Sequence, residues 1–311
     1  MTEAAKPEKR RLTKSERIER REKIVSFIVL LIAAFLFVFP LIYMVGTSFK
    51  SDLELQLHPE RVFPSPGQWT LKHYSGFFLN GDGQLDNMPK WMFNSIWSTA
   101  ATVLLTVITD LIVAYVVVFL RWKGQKVFMK FLVAWMAVPA VIGNAPGYIL
   151  FQTVKNMLGA NSPAAIYAIV YFWLVVPGIT GVFNVLLMHN FFKTIPVDII
   201  ESAKSDGASH FTIFRRVVCP LAKSTMMTIV LFTFTASWNN LQGPQLLMSG
   251  QGQAIQTITV ALAESYTGSS AWGAQGVSMA TAVFSLIPVF LIFIFTQNKM
   301  IDGLASTGIK G

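Results

Sequence analysis

Six stretches, at roughly 24–47, 93–120, 131–151, 164–187, 224–241 and 277–297, run for about 20 residues each with almost no charge. A helix rises about 1.5 Å per residue, so ~20 apolar residues cross about 30 Å of hydrocarbon. Inside that layer each backbone N–H and C=O must be paired, which leaves helices and closed barrels as the only spanning solutions. The period-2 alternation of a barrel strand is missing. The sequence therefore predicts an all-α membrane protein with six transmembrane helices. Composition agrees: 53% of the 311 residues are hydrophobic and 13% are charged, against about 25% charged in soluble domains. The fifth stretch is the shortest, turning polar at Trp238-Asn239-Asn240. The first follows a basic leader but is too long for a cleaved signal core, and is read as a retained anchor.

Charge sorts these spans by side. Of the 25 Lys and Arg residues, 20 fall in 1–23, 121–130, 191–223 and 298–311, leaving Lys50, Arg61, Lys72, Lys90 and Lys155 for the other side. This positive-inside pattern predicts that both termini are cytoplasmic. It also explains the net charge of +9 without a nucleic-acid partner. The chain divides into a basic segment (1–23) at the anionic lipid surface, a first helix with an extracytoplasmic loop (24–92), a core transmembrane domain (93–298) and a cytoplasmic tail (299–311).

Enzyme chemistry has no residues to stand on. The sequence has no G-x-x-x-x-G-K-[ST] phosphate loop, no G-x-S-x-G and no H-E-x-x-H. Its single cysteine, Cys219, and four scattered histidines show no metal-ligand spacing. The ionisable residue inside a span is Asp110, and ionisable groups in hydrocarbon face a cavity or a partner. It reads either as a relay of an autonomous secondary transporter or channel, or as a buried carboxylate bonded to nearby Ser/Thr or to another subunit. Together with Trp238, Asn239 and Asn240, whose amides need partners that lipid cannot offer, it is assigned to a translocation pathway.

One passage between spans is polar but patterned: residues 201–221 read ESAKSDGASHFTIFRRVVCPL. Upstream, Thr194, Pro196 and Asp198 give a helix start with a Thr cap. Ile199, Ile200 and Ala203 share one face, and Glu201 and Ser205 another. Gly207 stands where a left-handed terminator is needed, and Ser209 caps a second helix carrying Phe211, Phe214 and Val218 at i, i+3 and i+7, ended by Pro220. The expectation is an amphipathic helix–turn–helix at the cytoplasmic membrane surface, exposing Glu201, Lys204, Arg215 and Arg216.

The run Glu201-Ser202-Ala203-x-x-Asp206-Gly207-Ala208, with Phe214 and Pro220-Leu221, resembles the EAA loop of ATP-binding-cassette importer permeases. Ser202 replaces the usual first alanine, and Ser224 stands where a proline often follows. The resemblance implies a type I importer fold and, within about 192–223, a coupling helix that docks into a separate cytoplasmic ATPase. Residues 24–311 are similar to the smaller permease subunit of maltose-type sugar transporters, with Asn94-Ser95, Trp238-Asn239 and the carboxyl-terminal glycines among the matching positions. That likeness implies a bacterial cell-membrane protein working with a second permease, two ATPase subunits that use ATP and magnesium, and an extracytoplasmic solute-binding protein delivering a carbohydrate. It further implies that Tyr266, Thr267, Gly268, Ser269 and Ser270 form a loop tip entering the binding protein, and that the tail with Gly308, Lys310 and Gly311 threads between the ATPases. The chain itself is expected to bind no cofactor or metal.

Overall fold

A computed structural model describes residues 14–75, 88–120, 122–159, 162–268 and 272–308. Three single helices are long and apolar enough to cross a membrane: α1 (Lys14–Ser48), α2 (Met88–Phe119) and the last helix, Trp272–Gly308. Three further candidates are bent pairs, so the chain has up to six spans if each pair is one.

The bends fall where the backbone cannot continue a regular helix. α3 (Gln125–Trp135) and α4 (Asn144–Met157) turn by 92° through a stretch containing Pro139 and a 3-10 turn, Ala140–Gly143. The third span, expected as one helix over 131–151, is therefore broken, because Pro139 supplies no amide hydrogen. α5 (Pro163–Val175) is continued by the 3-10 turn Val176–Gly178, and a 40° bend then separates it from α6 (Val182–Phe192). A 78° bend divides His210–Leu221 from α8 (Lys223–Trp238), with α7 (Val197–Ser205) lying before it. Downstream come Gln242–Met248, α9 (Ile258–Gly268) and α10 (Trp272–Gly308).

Two apolar clusters sit at opposite ends of α2. One joins Leu111, Ala114 and Tyr115 to Met188, Phe192, Ile200, Ile213, Val218 and Ile229. The other packs Trp97 around Phe151, Tyr171, Leu247 and Met248. Between them α2 presents Ser98, Thr99, Thr106 and Asp110, all buried. By contrast α1 is uncovered: none of its most apolar window is buried by the rest of the chain, so that face belongs to lipid or to another protein.

The loop after α1 folds around a buried lysine. Lys50 is fully enclosed and its ammonium donates to the carbonyls of His58 (3.1 Å), Pro59 (3.5 Å) and Arg61 (2.5 Å). Glu54 accepts from the Ser65 hydroxyl at 2.7 Å and amide at 3.2 Å, and Arg61 lies 3.7 Å away.

Candidate functional site: a charged platform and a polar cavity

The polar passage folds as two helices around Gly207, whose φ is +79°. Ala208 N–H reaches the Ala203 carbonyl at 3.0 Å and Gly207 N–H that of Lys204 at 2.9 Å, the paired bonds of a Schellman terminus. Ser209 accepts from the Thr212 amide at 3.2 Å and so caps the second helix. Ile200, Ala203, Ala208 and Phe214 pack into the apolar cluster, while Glu201, Ser202, Lys204, Asp206, Arg215 and Arg216 are exposed.

Local details differ from expectation. Thr194 does not cap α7; its hydroxyl donates to the Phe191 carbonyl at 2.8 Å, and Pro196 occupies the cap position. Ile199 and Phe211 point outward, at 42% and 70% exposure, because Ile200 and Ile213 take the core positions. The second helix widens at Phe214–Val218, where Cys219 N–H reaches back to Phe214, and it passes through Pro220 to end at Leu221. A widened turn accommodates the missing proline amide. Tyr115 was not singled out by sequence. Its hydroxyl meets His210 Nδ1 and donates to the His210 carbonyl, each at 3.1 Å, and its ring stands edge-on to Phe214. The platform is thereby bolted to α2.

Asp110 is fully buried, and its carboxylate accepts from the Gly181 amide at 3.1 and 3.4 Å. It therefore caps the start of α6 from a neighbouring helix, a buried and bonded carboxylate whose partner is a backbone amide. The reason is the break at 178–181, which frees backbone groups that hydrocarbon cannot satisfy. Thr106 donates to the Gly178 carbonyl at 3.4 Å and Thr109 to that of Ile179. One face of α2 thus stitches the gap in its neighbour.

Trp238 is also turned inward. It is 4% exposed, donates through Nε1 to the Ser285 carbonyl at 3.2 Å, and stacks on Phe234. An indole with its N–H paired inside a core is held by packing, and here it also edges a small enclosed pocket shared with Thr99, Ser237 and Asn240. Asn239 ends α8 and is exposed, and Asn240 reaches a cavity of about 390 Å³. Thr102, Thr106, Asn184, Thr233 and Ser237 line the same cavity.

Asn94 and Ser95 organise the far end of α2. The Asn94 amide donates to the carbonyls of Ala254 (3.1 Å) and Gln256 (3.0 Å) and accepts from Tyr167, while Ser95 accepts from the Ile258 amide at 2.8 Å. They pin the segment leading into α9. Tyr266, Thr267 and Gly268, expected in a loop tip, are the last residues of that helix; Ser269 and Ser270 lie outside the described residues. The tail expected to thread a crevice is helical as far as Gly308, and Lys310 and Gly311 lie outside the described residues.

Bent apolar helices around an open polar cavity, with a charged amphipathic platform bolted to one end, define a multi-pass membrane transport component. Residues 111–299 match the family of binding-protein-dependent transport system inner membrane components. The match takes in more than half of the chain, which belongs to that family: it is a permease subunit, not an enzyme. The chain is similar to the diacetylchitobiose uptake system permease protein NgcG of Streptomyces coelicolor, 25% identical over 93% of this chain and 89% of the relative. It is also similar to the trehalose/maltose transport system permease protein MalG of Thermococcus litoralis, 26% identical over 94% and 99% of the two chains. A crystal structure of a bacterial ABC transporter involved in the import of the acidic polysaccharide alginate shares the fold, with a TM-score of 0.73, 23% identity and coverage of 93% and 99%.

Proposed function

We propose that this chain is one of the two membrane permeases of an ATP-driven, binding-protein-dependent carbohydrate importer in a bacterial cell membrane. It forms half of the translocation pathway and takes its power stroke from outside itself. In this reading six spans place both termini in the cytoplasm, in keeping with the basic-residue sorting. The platform of residues 192–223 docks onto one of two ATPase subunits, which use ATP and magnesium, and an extracytoplasmic binding protein delivers the sugar to the opposite end. The observation that carries the proposal is the platform: one side is fixed in the core by Ile200 and Ile213, and the other leaves Glu201 exposed beside a left-handed turn. Relatives named for oligosaccharide uptake support the cargo class. A secondary carrier working through Asp110 is disfavoured, since that carboxylate is bonded to Gly181.

Purified complex with loaded binding protein tests the assignment. A charged hydrogen bond at the docking surface is worth about 1.5–3 kcal/mol, so Glu201→Ala weakens ATPase retention by roughly 10- to 100-fold. Stimulated ATP hydrolysis falls with it. Full stimulation and normal retention would remove the platform from the coupling role.

A further inference from the structure

Two helices independently set the height of the loop that follows α1. The apolar stretch Ile18–Ser48 has 31 residues, about 46 Å of helix, against about 40–45 Å for a whole bilayer with its headgroup layers. Its last turns therefore lie among headgroups. Tyr43, about 7 Å before the end at Ser48, donates to the Pro59 carbonyl at 2.8 Å. A Cβ on Gly46 would run into the Val62 carbonyl and touch the Phe63 ring. The chain from Pro59 to Phe63 thus runs back down the side of α1. On α10 the apolar span is Gln275–Gln297. A Cβ on Gly276 would run into the His73 ring, and the Tyr74 ring sits 5.7 Å from that of Phe284, about 13 Å into that span.

Backbone at that depth needs partners of its own, because water is scarce there. Lys50 supplies them: its buried ammonium donates to the carbonyls of His58, Pro59 and Arg61 and lies 5.7 Å from the centre of the Tyr43 ring. The outward side carries what a bilayer surface selects. Phe63 and Trp69, 52% and 57% exposed, stack with ring centroids 6.5 Å apart and planes 19° apart, and aromatic rings concentrate at headgroup level. Exposed Glu60 and Arg61 precede Phe63 with one charge of each sign. That pairing suits a zwitterionic headgroup, whereas the buried core of a protein interface is depleted of charge. We infer that residues 58–69 form a bilayer-surface anchor, with Phe63 and Trp69 seated among phospholipid headgroups and Lys50 giving the backbone the hydrogen bonds that water would otherwise make. This role is independent of the cargo and of the ATPase.

Spin labelling of the complete membrane complex in phosphatidylcholine nanodiscs tests the anchor. Cys219→Ser removes the native thiol, and Phe63→Cys, at an exposed position, carries the nitroxide. Dissolved oxygen, which concentrates in lipid, relaxes this label more than a water-soluble nickel chelate does. In unlabelled complex, phosphatidylcholine brominated near its headgroup quenches tryptophan fluorescence, and Trp69→Phe loses part of that quenching. Lys50→Met raises nickel access at residue 63, since the carbonyls it abandons must be hydrated. Nickel exceeding oxygen while Lys50 is present would put the loop in water, and a label that neither reagent reaches would put it against another protein; either result overturns the anchor, as does quenching indifferent to Trp69→Phe. Unchanged nickel access in Lys50→Met would overturn the part given to Lys50.

Discussion

Replacing Asp110 separates a structural carboxylate from a proton relay. In the structure the side chain is fully buried and accepts from the Gly181 amide, at 3.1 and 3.4 Å, and from the Asn184 side chain. Leucine at 110 leaves that amide without an acceptor in a buried setting, at a cost of about 1–3 kcal/mol. Asparagine keeps one oxygen in place for the Gly181 amide, while it loses the charge and turns the second acceptor, towards Asn184, into a donor. Its cost is that of a weakened interaction with the positive end of α6, about 0.3–1 kcal/mol. The expected order of complex stability is therefore wild type, Asp110→Asn, then Asp110→Leu, read as thermal unfolding in nanodiscs. Sugar uptake into proteoliposomes should follow the same order and keep its requirement for ATP. If Asp110→Asn abolished uptake while leaving unfolding unchanged, or if an imposed pH gradient drove uptake without ATP, the capping account would fall and proton transfer through Asp110 would replace it.

Gly207 has open space where a Cβ would stand but a φ of +79°. Gly207→Ala should thus cost about 1–2 kcal/mol through the backbone alone, lowering ATPase retention in a pull-down, with Gly207→Val more severe because of its β-branch. Normal retention in both would discount the turn. Trp238→Phe removes the bond to Ser285 and should lower stability by about 1 kcal/mol while the KM for sugar stays put; a selective rise in KM would restore Trp238 to the pathway. In the outer loop, the Ser65 hydroxyl, aided by its amide and opposed by burial, holds Glu54 below the ordinary glutamate value of 4.5. A lowered folded-state value stabilises the loop above the unfolded value and is lost as pH falls through the folded one. The hydrogen-exchange protection factor over residues 51–66 should therefore fall on acidification below about pH 4.5, and Glu54→Gln should remove the share that belongs to Glu54, leaving that of Glu60, which is also held low in this segment.

Much of the helical layout was legible because membrane solvent admits few alternatives. The platform was legible too, since Gly207 and Ser209 act on their own backbone neighbourhood, and short-range chemistry is written in consecutive residues. What escaped prediction depends on contacts across the chain. Asp110 read either as a pathway relay or as a buried carboxylate bonded to a Ser/Thr or another subunit, because the sequence shows an acid in a span but not the Gly181 amide, 71 positions away, that it meets. Trp238 read as polar lining beside two asparagines, whereas its partner, Ser285, lies on α10. The swap of Phe211 for Ile213 in the core follows from the widened turn at Phe214–Val218, which shifts the register that a 3.6-residue period assumes. Tyr115 had no local signal at all.

The stitch between α2 and the gap in the fourth span has a lopsided tolerance of change. What α2 grips there is peptide: the carbonyls of Gly178 and Ile179 and the amide of Gly181. Every L-residue except proline carries those groups, so sequence drift at 178 and 179 leaves the joint intact, and a methyl group at Gly178 meets nothing within 4 Å. Gly181 is less free, because a Cβ there would come within 2.7 Å of the Asn184 amide nitrogen. On the other side the grip is made by particular side chains, and neither Thr109 nor Asp110 has a substitute in the backbone. A subunit that keeps Thr109 and Asp110 can therefore change its side chains at 178 and 179 without losing the joint.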